Sequence, residues 1–319
     1  MPAILSPALQ KGDLIALVFP ASYLDKKLEG GEEVVNRKAA WLESQGFRTI
    51  QYPSQVHIYG YLAGTDRERA DALMAAWKNP EVKAIWCFRG GYGTPRMLDL
   101  LDYNWIKDHP KIFIGMSDIT ALHQAIQMKT GLVTFLAPVL NFFDEPESSF
   151  DSAYAFTELN KVLVENKRGE IFVPEGLKVI SAGKAAGQLI GGNITLITIL
   201  CGTPWQLNTE GKVLVLEDVN APVYSVDRML WQLKASGLLD KPAAVILGGW
   251  TDCTSTYANG FTLDEVFAQY FKDAPYPVIS NFPTGHDTYQ TTLPLNIAVE
   301  VDTAFLKVEL LEGSVLVNQ

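Results

Sequence analysis

The chain has 319 residues, 48% apolar and 19% charged, which is enough to bury a substantial core and too apolar for a disordered polymer; at about 150 residues per domain it predicts two domains. With 26 Lys and Arg against 36 Asp and Glu, the formal net charge is −10. That balance, without any long basic run, argues against nucleic acid or an anionic membrane surface as partner, because counterion-release affinity needs a basic stripe.

No apolar run reaches the roughly 18 residues of a membrane span. Cys87, Cys201 and Cys253 are odd in number and far apart, which suits neither a disulfide framework nor a metal knuckle, so a reducing, cytoplasmic compartment is expected. In chain order, residues 14–19 read as a strand; Asp13 at its edge and the lack of a basic extreme N-terminus argue against a secretory segment. Residues 32–45 predict a helix stopped by Gly46, and 48–52 a strand. Thr65 and Glu68 form a capping box that opens a helix to about Lys78. A strand at 82–88, a helix from Thr94-Pro95, a strand at 111–116 and a helix at 118–129 follow. Such alternation builds a mostly parallel, doubly wound sheet with functional groups at the carboxyl ends of its strands.

A segment at 144–177, helical at its centre and polar at both flanks, separates the halves. The expected division is an N-terminal α/β domain over 1–165 and a smaller, β-rich α/β domain over 166–319. In the second, strands are predicted near 212–216, 243–247, 277–279, 296–301 and 306–311, and helices near 193–200, 226–235 and 263–271, the last with Thr262 and Glu265 as a second capping box.

The sharpest chemical feature is Lys111-Ile-Phe-Ile-Gly-Met-Ser117-Asp-Ile-Thr, an apolar strand running through a turn serine into a helix. A serine on such a turn projects its hydroxyl above the sheet beside helix N-terminal amides, as a nucleophile must, although Ser also serves as a plain N-cap and Ile119 replaces the second glycine of G-x-S-x-G. Phe88-Arg-Gly-Gly-Tyr-Gly93 follows another strand, and its glycines allow backbone amides to face an anion beside the Arg89 charge. It is neither a P-loop nor a complete dinucleotide fingerprint.

A serine nucleophile needs a base. Of four histidines, His57 and His109 lie in polar connections. His123 is six residues beyond Ser117, about 600° around a helix of 3.6 residues per turn, and reads as a packing residue. His286 sits in a Pro/Gly-punctuated loop after a strand, where functional side chains are often presented. Val213-Leu-Val-Leu-Glu217-Asp218 ends an apolar strand in two carboxylates, an expensive place unless they are paired or used. Glu217 is the expected orienting acid, with Asp218 next and Asp287 weaker.

Together these residues resemble the LD-carboxypeptidases, serine peptidases that include the microcin C self-immunity peptidases. The matching segments are Gly12-Asp-Leu-Ile-Ala-Leu-Val18, Arg89-Gly-Gly-Tyr-Gly93, Gly115-Met-Ser-Asp-Ile-Thr120, Gly187-Gln-Leu-Ile-Gly-Gly-Asn193, Leu216-Glu-Asp218 and Gly285-His286. The resemblance implies a Ser117-Glu217-His286 triad divided between a doubly wound N-terminal domain and a swivelling C-terminal domain. It also implies an oxyanion hole of the Gly91 and Asp118 amides, a homodimer, and no metal or other cofactor. Arg89, Gly90 and Tyr92 are expected to contact a murein peptide substrate, which would lose its terminal D-alanine. The chain's length and the lack of a long insertion after Asp218 look more like the peptidoglycan-recycling branch than the microcin branch. Outside the family, a non-catalytic two-domain protein closing on a small ligand is the competing expectation, and a nucleotide-dependent enzyme is disfavoured by the incomplete fingerprint.

Overall fold

A computed structural model describes residues 2–24, 31–145, 149–171, 173 and 176–317. After a two-residue strand β1 (Ser6–Pro7), the first half runs β2 (Leu14–Val18), α1 (Glu32–Ser44), β3 (Arg48–Tyr52), α2 (Asp66–Lys78), β4 (Val82–Cys87), α3 (Tyr103–Asp108), β5 (Ile112–Gly115), α4 (Thr120–Thr130), β6 (Thr134–Leu136) and α5 (Ser152–Leu163). The second half runs β7 (Gly169–Glu170), β8 (Lys178–Ser181), β9 (Lys184–Asn193), α6 (Ile194–Ile199), β10 (Val213–Val219), α7 (Val223–Ala235), β11 (Ala244–Thr251), α8 (Leu263–Phe271), β12 (Val278–Ser280), β13 (Leu293–Leu295), β14 (Ala298–Asp302), β15 (Lys307–Leu310) and β16 (Val315–Leu316).

Both capping boxes form. Thr65 accepts from the Glu68 amide at 3.3 Å while the Glu68 carboxylate accepts from the Thr65 amide at 2.7 Å, and Thr262 and Glu265 repeat the pattern. The helix predicted from Thr94-Pro95 forms as a 3-10 helix over residues 94–100. The helix after Ser117 also begins as a 3-10 turn, Ser117–Ile119, before α4.

The first sheet has the order β13-β6-β5-β4-β2-β3 and is parallel from β6 to β3. From β2 the chain moves outward to β3 and then returns to the other side of β2 as β4, so the strand order reverses between β2 and β4. Doubly wound sheets bind ligands at such a switch point, outside the strand ends; here Ser22 and Gly90, which follow β2 and β4, are hydrogen-bonded to each other there. The second sheet, β7-β15-β14-β9-β10-β11-β12-β8, is parallel at its centre (β9 to β12) and antiparallel at both flanks.

The two sheets share apolar core. One buried cluster runs from Met97, Leu122 and Leu136 to Leu189, Ile246 and Phe282. Strand β13 lies antiparallel to β6, so a segment from the second half completes the edge of the first sheet. Strands β8 and β9 were not expected from the sequence. In β9, glycines at 187, 191 and 192 replace the alternating side chains that reveal a strand. At 187 and 191 another backbone approaches closely, a Cβ on Gly187 lying 2.5 Å from the Gly211 carbonyl oxygen, and at 192 a Cβ would lie 2.7 Å from Thr120 Oγ1. Among the described residues no helix is long and apolar enough to cross a membrane.

Candidate active site

Strand β5 is fully buried and delivers the chain to Ser117, whose φ of 63° lies in the left-handed region that non-glycine residues rarely occupy. Strain of this kind persists only when its surroundings enforce it. Here the Gly115 carbonyl is fixed from two sides, by the Ala137 amide at 3.1 Å and by His123 Nε2 at 2.9 Å. The half-buried Ser117 side chain faces the glycine loop: a Cβ on Gly90 would stand 3.2 Å from Ser117 Oγ and 3.4 Å from the Asp118 amide nitrogen. Glycine at 90 therefore leaves the space into which the hydroxyl and the first amide of the turn open.

The loop itself is gripped by Ser22. Its amide donates to the Gly90 carbonyl at 3.4 Å and its hydroxyl accepts from the Tyr92 amide at 3.1 Å. Between them Gly91 has φ 110°, and a Cβ there would lie 2.5 Å from Ser22 Oγ. Arg89 Nη1 donates to the Tyr23 carbonyl at 2.9 Å, so part of the guanidinium orders the neighbouring loop. Tyr92 is 47% exposed, its ring edge-on to Tyr61.

The second cluster forms at the end of β10. Register with β11 shifts there: Leu216 pairs with Leu247 and Asp218 with Trp250, leaving Gly248 and Gly249 opposite Glu217. A bulge of this kind re-aims a side chain. Residues 282–287 cross the strand ends over those glycines, with the Gly249 amide donating to the Thr284 carbonyl at 2.7 Å and Thr251 Oγ1 donating to the His286 carbonyl. Gly285, at φ 94°, passes so close that a Cβ would lie 2.6 Å from Glu217 Oε2.

The crossing brings His286 Nδ1 to 2.8 Å from Glu217 Oε2. A carboxylate only accepts, so Nδ1 carries the proton and neutral His286 keeps the lone pair of a base on Nε2. Glu217 is 0% exposed, and its Oε1 has no hydrogen-bond partner among the described residues. Burial opposes the imidazolium of His286, but Glu217, by its charge and its hydrogen bond, and then Asp218 outweigh it, so the histidine titrates above its ordinary 6.5.

Asp218 turns elsewhere. Its oxygens accept from Asn193 Nδ2 at 2.9 Å and Thr195 Oγ1 at 2.7 Å, which resolves the sequence-level choice between the two carboxylates as partner of His286 in favour of Glu217. Asp287 caps the amide of Thr288.

Contacts also join the two clusters' surroundings. Asn193, at the end of β9, donates its amide to Thr120 Oγ1 on the serine helix at 3.0 Å, while the same residue's side chain binds Asp218. Phe142, following β6, meets the His286 ring edge-to-face at 6.1 Å, and its neighbour Asn141 donates to the Phe88 carbonyl just before Arg89.

Residues 15–137 match the family model described as the LD-carboxypeptidase N-terminal domain, and residues 186–301 match the LD-carboxypeptidase C-terminal domain. The chain belongs to the LD-carboxypeptidase family. A relative named probable murein peptide carboxypeptidase, from Bacillus subtilis, is 34% identical over 93% of this chain and 91% of its own. Among solved structures, the microcin C7 self-immunity protein MccF in complex with aspartyl sulfamoyl adenosine superposes with a TM-score of 0.88 at 26% identity, covering 98% of this chain and 100% of that one. A muramoyltetrapeptide carboxypeptidase from Oxalobacter formigenes does so with a TM-score of 0.77 at 28% identity, covering 93% and 97%. Membership in the LD-carboxypeptidase family makes the protein a carboxypeptidase-type hydrolase, and the doubly wound first sheet with a second α/β unit is that family's fold.

The remaining histidines lie away from the paired acid and base. His57 is exposed and paired with Glu68, and His109 is exposed and stacked on Trp105. His123 is fully buried, edge-on to Phe113, and burial pushes its imidazole down to about 4. Sequence reasoning passed over Ser22, Thr94 and Phe142. Small hydroxyls and an aromatic in loops carry no pattern until the fold shows what they grip.

Proposed function

We propose that this LD-carboxypeptidase removes the terminal D-alanine from murein tetrapeptides, with Ser117 as nucleophile, His286 as base and Glu217 as the orienting acid. In this reading residues 1–165 form the domain that carries the nucleophile, residues 166–319 the domain that carries its activators, and the protein works in the cytoplasm as a homodimer. The observation that carries the reading is the buried Glu217–His286 hydrogen bond at 2.8 Å, for which the strained serine at the end of β5 is the proposed nucleophile. A buried carboxylate whose hydrogen-bonded partner is a half-buried imidazole is costly as architecture and useful as a base.

In the proposed reaction Ser117 Oγ attacks the carbonyl of the L-to-D peptide bond while His286 Nε2 takes its proton. The resulting oxyanion is received by the Gly91 and Asp118 amides; one such preorganised donor is typically worth about 10²–10³ in rate. His286 then protonates the departing amine and D-alanine leaves. Water, deprotonated by the same imidazole, releases the acyl group from Ser117. Throughout, Glu217 stabilises the imidazolium, and no metal takes part. In this reading Arg89, with Gly90 and Tyr92, reads the free carboxylate that defines a carboxypeptidase substrate.

A second reading has its own support. The higher TM-score to MccF, whose complex holds an aspartyl sulfamoyl adenosine, favours a peptidyl or aminoacyl nucleotide as substrate. The two are separated by kcat/KM for L-Ala-γ-D-Glu-meso-diaminopimelate-D-Ala against an aminoacyl sulfamoyl adenosine. Preference for the tetrapeptide by tenfold or more is the expected result, and the reverse preference selects the nucleotide-linked substrate.

A further inference from the structure

The carboxylate of Asp118 has no part in the chemistry described above, which uses only that residue's amide. Yet it is 1% exposed, and a buried carboxylate demands an account. Its Oδ2 accepts from the Thr94 amide at 2.8 Å. In return the Thr94 hydroxyl, itself fully buried, donates to the Asp118 carbonyl. Arg69, 1% exposed, holds the Gly93 carbonyl at 3.0 Å and also donates to the Pro20 carbonyl. Gly93 has φ 124° and no room for a side chain, since a Cβ would sit 2.5 Å from Leu62 Cδ2.

The two amides assigned to the oxyanion hole belong to loops 27 residues apart in sequence (118 minus 91), following different strands. Strand pairing ends before either: β4 and β5 pair through Trp86 and Ile114. Beyond that point the Asp118 side chain and Thr94 tie the serine turn to the far side of the glycine loop, while Ser22 grips its near side. We propose that Asp118 is a positioning residue: through the Thr94 amide its carboxylate registers the glycine loop against the serine turn, so that the Gly91 and Asp118 amides converge on one oxygen. The inference rests on the serine-hydrolase reading and adds to it the group that aligns the two donors.

The test measures D-alanine release, affinity for a murein tripeptide analogue in which a boronic acid replaces the diaminopimelate carboxyl at the scissile position, and affinity for the cleaved tripeptide. Wild type and Ser117→Ala, Asp118→Ala, Asp118→Asn, Thr94→Val and Thr94→Ser variants are compared, with melting temperatures. Asp118→Ala is expected to lower kcat by about 10²-fold, the value of one oxyanion donor, with KM changed less than threefold. Boronate affinity should fall with kcat/KM, because its tetrahedral oxygen needs the aligned amides, while tripeptide affinity stays constant. Asp118→Asn, retaining an acceptor oxygen, should recover about tenfold. Should Asp118→Ala not fold, the isosteric Thr94→Val removes the reciprocal hydroxyl bond and is expected to cost about tenfold in kcat, restored by Thr94→Ser.

Undiminished kcat in the folded Asp118 and Thr94 variants, or lost kcat with unchanged boronate affinity, overturns the inference alone. A wild-type protein that releases no D-alanine, or an active Ser117→Ala, overturns the underlying reading and the inference with it.

Discussion

At the end of β5 a polar group is held by backbone geometry: Ser117 sits at φ 63° with a half-buried side chain beside a glycine loop. At the end of β10 the backbone is bulged, and what is unusual is electrostatic, a 0% exposed carboxylate against an imidazole. The first strand end stores conformational strain and the second stores desolvation. Strain can be relieved by removing a side chain, whereas a buried charge is stabilised only by its partner. The two ends should therefore respond to substitution in opposite ways.

The largest effect is expected at the strained end. Ser117→Gly should abolish D-alanine release, a loss of about 10⁴–10⁶. It should also raise stability by about 1 kcal/mol in urea unfolding, because glycine occupies positive φ without penalty. Equal or lower stability would show that the turn is not strained.

Glu217→Gln should cost about 10³–10⁴ in kcat through loss of imidazolium stabilisation and the wrong tautomer. Because Glu217 helps hold His286 above 6.5, activity in the wild type should rise with pH to a midpoint above that value, as the base loses its proton, and the variant's midpoint should move down. Stability carries the matching sign. A histidine whose folded pKa is raised adds stability that is fully present below its unfolded pKa near 6.5 and is lost as pH rises through the folded one. Denaturation across that window should lose this slope in Glu217→Gln.

A smaller loss, about 10- to 100-fold in kcat, is expected for Gly285→Ala, whose Cβ would lie 2.6 Å from Glu217 Oε2 and displace the loop that carries His286. The smallest effect belongs far from both ends: Thr65→Ala should cost about 1 kcal/mol of stability and leave kcat/KM unchanged.

The contrast between the strand ends also explains what the sequence made legible. Ser117 was readable because a β-run, a turn and a helix are local patterns, and Glu217 because two acids ending Val213-Leu-Val-Leu violate the apolar pattern. Glu217, ahead of Asp218, was the expected partner of His286; what the sequence did not show is the bulge opposite Gly248 and Gly249, over which residues 282–287 cross. Strand β9 was hidden by its glycines, whose meaning is the nearness of other segments, and β13 by its pairing with β6 across 157 residues (293 minus 136). His123, by contrast, declared its packing role through helical phase alone.

The decisive point is whether the hydroxyl at the strained turn is the group that the paired imidazole activates. Exposing the protein to a fluorophosphonate, followed by digestion and mass spectrometry, tests this directly. One adduct on Ser117 is predicted, forming in step with the loss of D-alanine release and slowed at least about 100-fold in His286→Gln. An adduct on another residue, or labelling of Ser117 at an unchanged rate in His286→Gln, would contradict it.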